Sequence, residues 1–423
     1  MSGSRRRFLT SVSALIAQTV WSPMLVRAAT APKVVVVGGG YGGATAAKYV
    51  RMWSGGGIDV TLVERDAAFV SCPVSNLVIG GSRTLADITV AYDALERSGV
   101  RRVRDEAIAI DPVARTLRLA GGTTLPYDRL ILSPGVDFMW DQVPSLASVD
   151  AQAKVLNAWK AGPQTVALRR QLEAMPDGGL FVIHVPMAPF RCPPAPYERA
   201  CQVALYFQKS KPKSKVLILD ANEEVQSKKA LFVAAWEGRY KGLVEYRPNS
   251  ALIDVDVATL TAKLDFENVK ADVLNVIPPQ FAGSIARQLG MANANARFCQ
   301  VDFLTYESTV HKNIHVLGDS IQVAPLMPKS GHMANQHGKV CASAVVALLS
   351  GREVEPSPII ANTCYSYIGE KDAVHVASVH AYDRDKKTML VVPGSGGLSA
   401  EPNAAEAELA EGWARNIWAD MLR

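Results

Sequence analysis

The chain has six cysteines in 423 residues, and no two of them form a C-x-x-C pair. Zinc-type cysteine spacing is missing, which sets aside a structural zinc site, and metal ligation is not expected. The C-x-x-C-H signature that attaches haem is missing too, so any haem belongs to another chain. No uninterrupted apolar run reaches 18 residues, so stable membrane insertion is not expected. Excess charge is also scarce. The formal net charge is +5, but residues 1–28 hold four arginines and no acid, which leaves the remainder at +1. That balance gives no footprint for nucleic acid. With 48% hydrophobic and 20% charged residues the chain reads as globular, and its length allows two or three domains.

Residues 1–28 read as an address. Arg5-Arg6-Arg7-Phe8-Leu9 precedes a mostly apolar run, 12–21, and then Val26-Arg27-Ala28, a small-residue cleavage site. Paired arginines in this position resemble the twin-arginine export signal, with a plain secretory signal or a short anchor as alternatives. The twin-arginine route carries folded proteins, which suits a cofactor loaded before export. The expected location is periplasmic, an oxidising compartment in which free thiols are unusual.

The mature part is organised around Val34-Val35-Val36-Val37-Gly38-Gly39-Gly40-Tyr41-Gly42-Gly43. Four valines read as a buried parallel strand. Gly38, Gly40 and Gly43 then supply a tight turn, a close backbone approach to a pyrophosphate, and close packing of the next helix, expected over 44–51. That helix aims its N-terminal N–H groups at phosphate. A second strand over 58–63 ends on Glu64, 21 positions after Gly43, where a carboxylate accepts from a ribose. Arg65 follows it and is counted with the same site. This pattern is a dinucleotide fingerprint, and the expected cofactor is FAD.

Short strands and turns over 100–132 lead to Ser133-Pro134-Gly135, a small-residue turn expected at the crossing between domains. A second α/β unit begins near 160. Its first strand, 179–185, is followed by Pro186-Met187-Ala188-Pro189-Phe190-Arg191-Cys192-Pro193-Pro194, which contains no glycine. Prolines remove N–H donors, so this loop is a poor pyrophosphate cradle, and NAD(P)H binding is not expected. The chain then returns to the first unit. A strand ends on Gly318-Asp319, a late flavin fingerprint, and Lys329 opens a long helix to about 349 whose N-terminus can face a flavin. A terminal helix over 404–422 carries Trp413, Ile417 and Trp418 on one face. Core packing is favoured over membrane docking there, because its polar face is acidic.

The expected fold class is therefore α/β, with two Rossmann-like domains of the glutathione-reductase type and a C-terminal α+β domain. The expected segments are a signal peptide at 1–28 and an FAD-binding domain at 29–150 and 298–354. A second Rossmann-like domain without a NAD fingerprint follows at 151–297, and an interface domain at 355–423.

Three cysteines sit in distinctive contexts: Ser71-Cys72-Pro73-Val74-Ser75-Asn76, Cys192-Pro193-Pro194-Ala195-Pro196-Tyr197-Glu198, and Asn362-Thr363-Cys364-Tyr365-Ser366. Together with the FAD fingerprint they resemble the flavoprotein subunit of flavocytochrome c sulfide dehydrogenase, over essentially the whole mature chain. The resemblance implies a sulfide:cytochrome c oxidoreductase with FAD bonded covalently through Cys72, although Cys72 also reads as a small buried apolar residue. It implies that Cys192 and Cys364, 172 positions apart, form a redox-active disulfide, with a structural disulfide as the alternative. Glu198 matches an acidic residue beside that pair, or is a surface carboxylate at a helix start. Arg191 and Lys329 are candidates for stabilising anions, or for surface ion pairs. Cys201, Cys299 and Cys341 read as structural. The implied partner is a cytochrome c subunit carrying haem c, in a heterodimer, and the small-molecule substrate is sulfide.

Other readings remain open from sequence. A sulfide:quinone reductase shares the FAD fold and the cysteine pair. A flavoprotein that reactivates the sulfur-carrier protein of a thiosulfate-oxidising system would act on a protein-bound disulfide or persulfide. A pyridine-nucleotide disulfide reductase is disfavoured by the 186–194 loop. An inactive subunit is disfavoured by retention of both Cys192 and Cys364.

Overall fold

A computed structural model describes residues 31–423. The export-signal reading of 1–28 lies outside the described residues.

The valine run is the central strand, Lys33–Val37, of a five-stranded parallel sheet. Across the sheet the order is Ile314–Val316, Arg129–Leu132, Lys33–Val37, Asp59–Val63 and Arg101–Val103. Val34, Val35, Val36 and Val37 are all buried. A parallel strand covered on both faces must be apolar without alternation, and each such valine contributes about 2 kcal/mol by burial. The late strand Ile314–Val316 pairs with Arg129–Leu132, which brings Gly318-Asp319 back beside the glycine turn.

The helix after that turn is Tyr41–Trp53. It starts three residues earlier than the expected 44–51, directly after Gly40, so Gly42 and Gly43 lie within its first turn. A side chain at Gly43 would place a Cβ 1.9 Å from Gly38 O; the helix closes on the strand only because that Cβ is missing. Its partner is the helix Gly331–Leu349, packed so closely that a Cβ at Gly338 would lie 2.6 Å from Gly42 O. That helix begins at Gly331 rather than at Lys329. Ser330 is its cap, and its hydroxyl accepts from Met333 N at 3.0 Å.

The second parallel sheet runs in the order Val244–Arg247, Lys215–Asp220, Leu180–Val185, Val273–Val276. The C-terminal region is antiparallel. Ile359–Tyr367 pairs with Ala373–Asp383, which pairs in turn with Thr388–Val391 and Gly397–Leu398. The first of these strands was not expected, because Asn362-Thr363-Cys364 interrupts any apolar alternation. The helix Ala404–Leu422 buries Ile417 and packs Trp413 and Trp418 against the core. Trp418 Nε1 donates to Tyr41 OH at 3.2 Å, so this tryptophan face is turned to the protein interior. Among the described residues no helix is long and apolar enough to cross a membrane. The architecture agrees with the expected α/β class.

Candidate active site

A cleft of about 610 Å³ opens along the C-terminal ends of the first sheet. Gly38, Gly40, Glu64, Arg65, Ser133, Gly135, Gly318, Asp319 and Lys329 all line it, together with Cys72 and Cys192. Gly43 alone of the expected cofactor residues does not, since its role is packing behind the turn. Gly38 has φ +95°, and a Cβ there would meet Ser133 O at 2.3 Å. At Gly40 a Cβ would meet nothing within 4 Å; the space beside this backbone is the cleft itself. The helix Tyr41–Trp53 has no side-chain cap and no acid in its first turn, so its leading N–H groups are available to an anion.

Glu64 accepts from Gly39 N at 2.6 Å and from Asp66 N at 2.8 Å, which fixes its carboxylate at the cleft wall. Arg65 is exposed and paired with Glu106 at 3.4 Å. Asp319 Oδ1 is buried without a partner, an acceptor facing a cleft that needs a donor. Lys329 is buried, not at the surface. Its Nζ donates to Asp319 O at 3.0 Å and Ile321 O at 2.5 Å, and burial lowers its pKa to about 7. An open glycine shoulder, free helix N–H groups, an acid at the second strand end and an orphaned Asp319 oxygen together fit FAD.

A smaller cavity of about 50 Å³ adjoins this cleft. Cys72, Pro73, Arg191, Cys192, Ser330 and Gly331 line both. Cys364 lines the small cavity, with Glu198, His332 and Trp413. The fold thus brings together the three cysteines singled out by sequence. All are free thiols, and Cys192 and Cys364 line the same small cavity. Cys192 stands in the left-handed region, φ +54°. Its N–H donates to Lys329 O at 2.7 Å, which ties the cysteine loop to the cleft. Cys201, Cys299 and Cys341 are buried elsewhere in the cores.

Arg191 is not at the surface either. Its Nη2 lies 3.0 Å from Cys72 Sγ and also donates to Trp159 O. Among the described residues it has no carboxylate partner, so a half-buried cation faces the sulfur cavity. Glu198, in the first turn of the helix Ala195–Ser210, is buried rather than exposed. Oε2 accepts from Asn76 Nδ2 and Oε1 from Tyr367 N, both at 2.8 Å. Burial raises its pKa, against the lowering effect of those two donors.

Sequence reasoning missed several groups here. Arg199 is buried and donates to Asn76 Oδ1, Asn157 O, Ala158 O and Asn275 Oδ1, clamping the floor of the site. His332 Nδ1 accepts from Thr363 N at 2.9 Å. Lys228 reaches the strand of Cys364 through Ser366 Oγ. The Pro193-Pro194-Ala195 helix start flags Arg199 faintly, eight positions after Arg191; nothing local flags Lys228 or His332.

The second unit is closed where a nucleotide would enter. Asn222 Nδ2 donates to Pro186 O, and its Oδ1 accepts from Ala188 N, each at 3.0 Å. Asp220, at the end of the second strand, accepts from Tyr197 OH at 2.7 Å and Tyr246 OH at 3.1 Å. The acid that would hold a ribose is engaged by the chain's own side chains.

A flavoprotein of the pyridine nucleotide-disulphide oxidoreductase fold is the class these features define, and residues 32–167 match that family model. Residues 165–278 match the model described as the central part of the sulfide dehydrogenase [flavocytochrome c] flavoprotein chain. Residues 356–422 match the flavocytochrome c sulphide dehydrogenase flavin-binding model. A sulfide dehydrogenase [flavocytochrome c] flavoprotein chain from Chlorobaculum thiosulfatiphilum is 61% identical over 46 residues, which are 11% of this chain and 94% of the relative. The chain belongs to the flavocytochrome c sulfide dehydrogenase flavoprotein family. A mitochondrial sulfide:quinone oxidoreductase from Dictyostelium discoideum is 24% identical over 68% of this chain, and the match spans 65% of that relative's length. Among solved structures, the sulfide:quinone oxidoreductase from Aquifex aeolicus has a TM-score of 0.77 at 18% identity, covering 92% of each chain. The NAD-dependent persulfide reductase from A. fulgidus has a TM-score of 0.62 at 14% identity, covering 92% of this chain and 77% of that one.

Proposed function

We propose that this protein is an exported flavoprotein that oxidises sulfide at Cys192 and Cys364 and passes the electrons to a cytochrome c subunit. The observation that carries the reading is the shared wall between the two cavities. The cysteine pair lines the small one, the glycine cradle lines the large one, and Cys192 belongs to both. FAD, held at Gly38, Gly40, Glu64, Gly135, Asp319 and Lys329, supplies a two-electron acceptor that can release electrons singly.

The cysteines do thiol–disulfide exchange. Hydrosulfide attacks one sulfur of the oxidised pair. One S–S bond forms to the incoming sulfur, the Cys192–Cys364 bond breaks, and the other cysteine leaves as a thiolate. The proton of the new persulfide needs an acceptor, and Glu198 is the carboxylate of the cavity. Arg191 places positive charge beside the cavity, which favours the anionic substrate. A volume of about 50 Å³ suits one or two sulfur atoms rather than a protein-borne group. Cys72 lines the flavin cleft, as covalent attachment of the flavin through its sulfur requires. The twin-arginine reading of 1–28 supplies the export step and a periplasmic location.

The likeness to sulfide:quinone oxidoreductases makes a quinone the competing acceptor. The two are separated by reducing the holoprotein anaerobically with sulfide and then adding oxidised cytochrome c or a soluble quinone. Fast reoxidation by cytochrome c alone is expected; reoxidation by quinone alone would reassign the acceptor. NADH should leave the flavin oxidised, because the 186–194 loop is closed by Asn222.

A further inference from the structure

A buried cation without a counter-ion stands behind the cysteine pair. Lys228 is 5% exposed, and among the described residues no carboxylate lies within ion-pair distance of it. Its Nζ has one hydrogen-bond partner, Ser366 Oγ at 2.8 Å. Lys228 precedes the helix Lys229–Glu237 and holds φ +58°, a left-handed conformation that costs a lysine energy and needs surrounding structure to enforce it. A buried, unpaired ammonium on a strained residue is expensive, and such arrangements concentrate at functional sites.

Ser366 is two residues from Cys364 on the strand Ile359–Tyr367. Side chains two apart share one face of a strand, roughly 7 Å from each other. The ammonium tethered to Ser366 therefore stands on the face from which Cys364 projects. Cys192 comes from a different element, the loop before the helix Ala195–Ser210, and its close charged neighbours are Glu198 and Arg191. The surroundings of the two sulfurs are thus unequal.

We infer that Lys228 is a positioning residue that makes Cys364, rather than Cys192, the thiolate of the reduced pair. The inference rests on the reading of Cys192 and Cys364 as the redox couple. Charge bookkeeping around the pair agrees with it. Cys364 is lowered by the hydrogen bond from Cys192 and, against its burial and the Glu198 charge, by Lys228. Cys192 is raised by its hydrogen bond to Cys364, by burial and by the charges of Cys364 and Glu198, with Arg191 opposing. The groups facing Lys228 are Cys364, Glu198, Cys192 and, from the C-terminal helix, Glu406. Burial lowers the lysine itself, and these anions oppose that lowering. In an exchange reaction the cysteine that leaves most readily is the one whose thiolate is most stable. Cys364 is then the leaving group, and Cys192, on the shared cavity wall, carries the sulfur received from substrate.

The test is site-resolved alkylation of the phosphine-reduced holoprotein by iodoacetamide across pH, read by peptide mass spectrometry. In the unchanged protein Cys364 should react faster than Cys192 at neutral pH, with a midpoint below the ordinary thiol value of about 8.5. Lys228→Met should slow Cys364 at least tenfold at pH 7.5 and raise its midpoint, while Lys228→Arg keeps the rate within about threefold, in line with a charge effect of roughly one pH unit. Ser366→Ala, which keeps the lysine and removes its tether, should move the midpoint in the same direction by less. A purely structural Lys228 would lower the melting temperature and leave the midpoint in place. An unchanged midpoint in both Lys228→Met and Ser366→Ala, or faster alkylation of Cys192 in the unchanged protein, would overturn the inference. Neither readout depends on sulfide, so a failure here is distinct from a failure of the sulfide-oxidising reading.

Discussion

Asn76 Nδ2 lies 2.8 Å from Glu198 Oε2, and this contact joins the loop of Cys72 to the helix that follows Cys192. Asn76 also donates to Ala195 O at 3.0 Å and accepts from Arg199. Glu198 is thereby fixed beside the sulfur cavity as a raised-pKa carboxyl. Glu198→Gln keeps the shape and loses the proton exchange. Sulfide-dependent turnover should fall about 100-fold, and the acid limb of its pH profile should disappear while the flavin spectrum stays unchanged. An unaltered profile would make Glu198 structural only.

Gly40 and Gly43 separate binding from packing. Gly43→Ala puts a methyl 1.9 Å from Gly38 O and should destabilise the fold by about 3 kcal/mol or more. Gly40→Ala meets no protein atom, so the chain should fold with nearly unchanged melting temperature in the absence of flavin. Its methyl enters the cleft, so flavin content should drop. Full flavin content in Gly40→Ala would contradict the placement of the pyrophosphate at this shoulder.

Contiguous features were legible before the structure was known. The valine strand, the glycine turn and the acid at the second strand end all lie within 31 positions of one another, from Val34 to Glu64, and their chemistry is local. The helix Ala404–Leu422 matched its expected bounds because its period and its Asn403 cap are both local signals. The start of the helix at Tyr41 was misplaced because Gly42 and Gly43 count against helix by propensity, whereas the close contact with Gly38 requires them there. The strand Ile359–Tyr367 was invisible because its polar residues face the site, so its pattern reports function rather than burial. Arg191, Lys329 and Glu198 were open between surface and site, since no local pattern says that a charged residue is buried. The Arg199–Asn76 and Lys228–Ser366 contacts span 123 and 138 positions of sequence, and only the assembled fold creates them.

Cys72 tests how the cofactor is held. Its sulfur lines the flavin cleft and faces Arg191 at 3.0 Å. Acid precipitation of the unchanged holoprotein should leave the flavin with the polypeptide, whereas Cys72→Ala should release it into the supernatant. Release from the unchanged protein would rule out the covalent bond.

Buried histidines predict the response to acid. His337 has no partner on either ring nitrogen, and burial lowers it to about 3; burial likewise lowers His184 to about 4. The unfolded chain holds these protons at its ordinary pKa near 6.5, so it binds more protons than the folded chain below that pH. Their contribution to stability is complete above about pH 6.5 and is lost as pH falls toward 4, by about 1.4 kcal/mol per pH unit for each group. Melting temperature should decline steadily from pH 6 to 4.5. A level profile down to 4.5 would contradict this assignment.

The central claim is that sulfide delivers electrons through Cys192 and Cys364. The most direct measurement is anaerobic mixing of the holoprotein with sulfide in a stopped-flow spectrometer, following the flavin band in the unchanged protein and in Cys192→Ser and Cys364→Ser. The account predicts rapid bleaching in the unchanged protein and none in either variant, with flavin content preserved in all three. Full bleaching in either variant, or none in the unchanged protein, would contradict it.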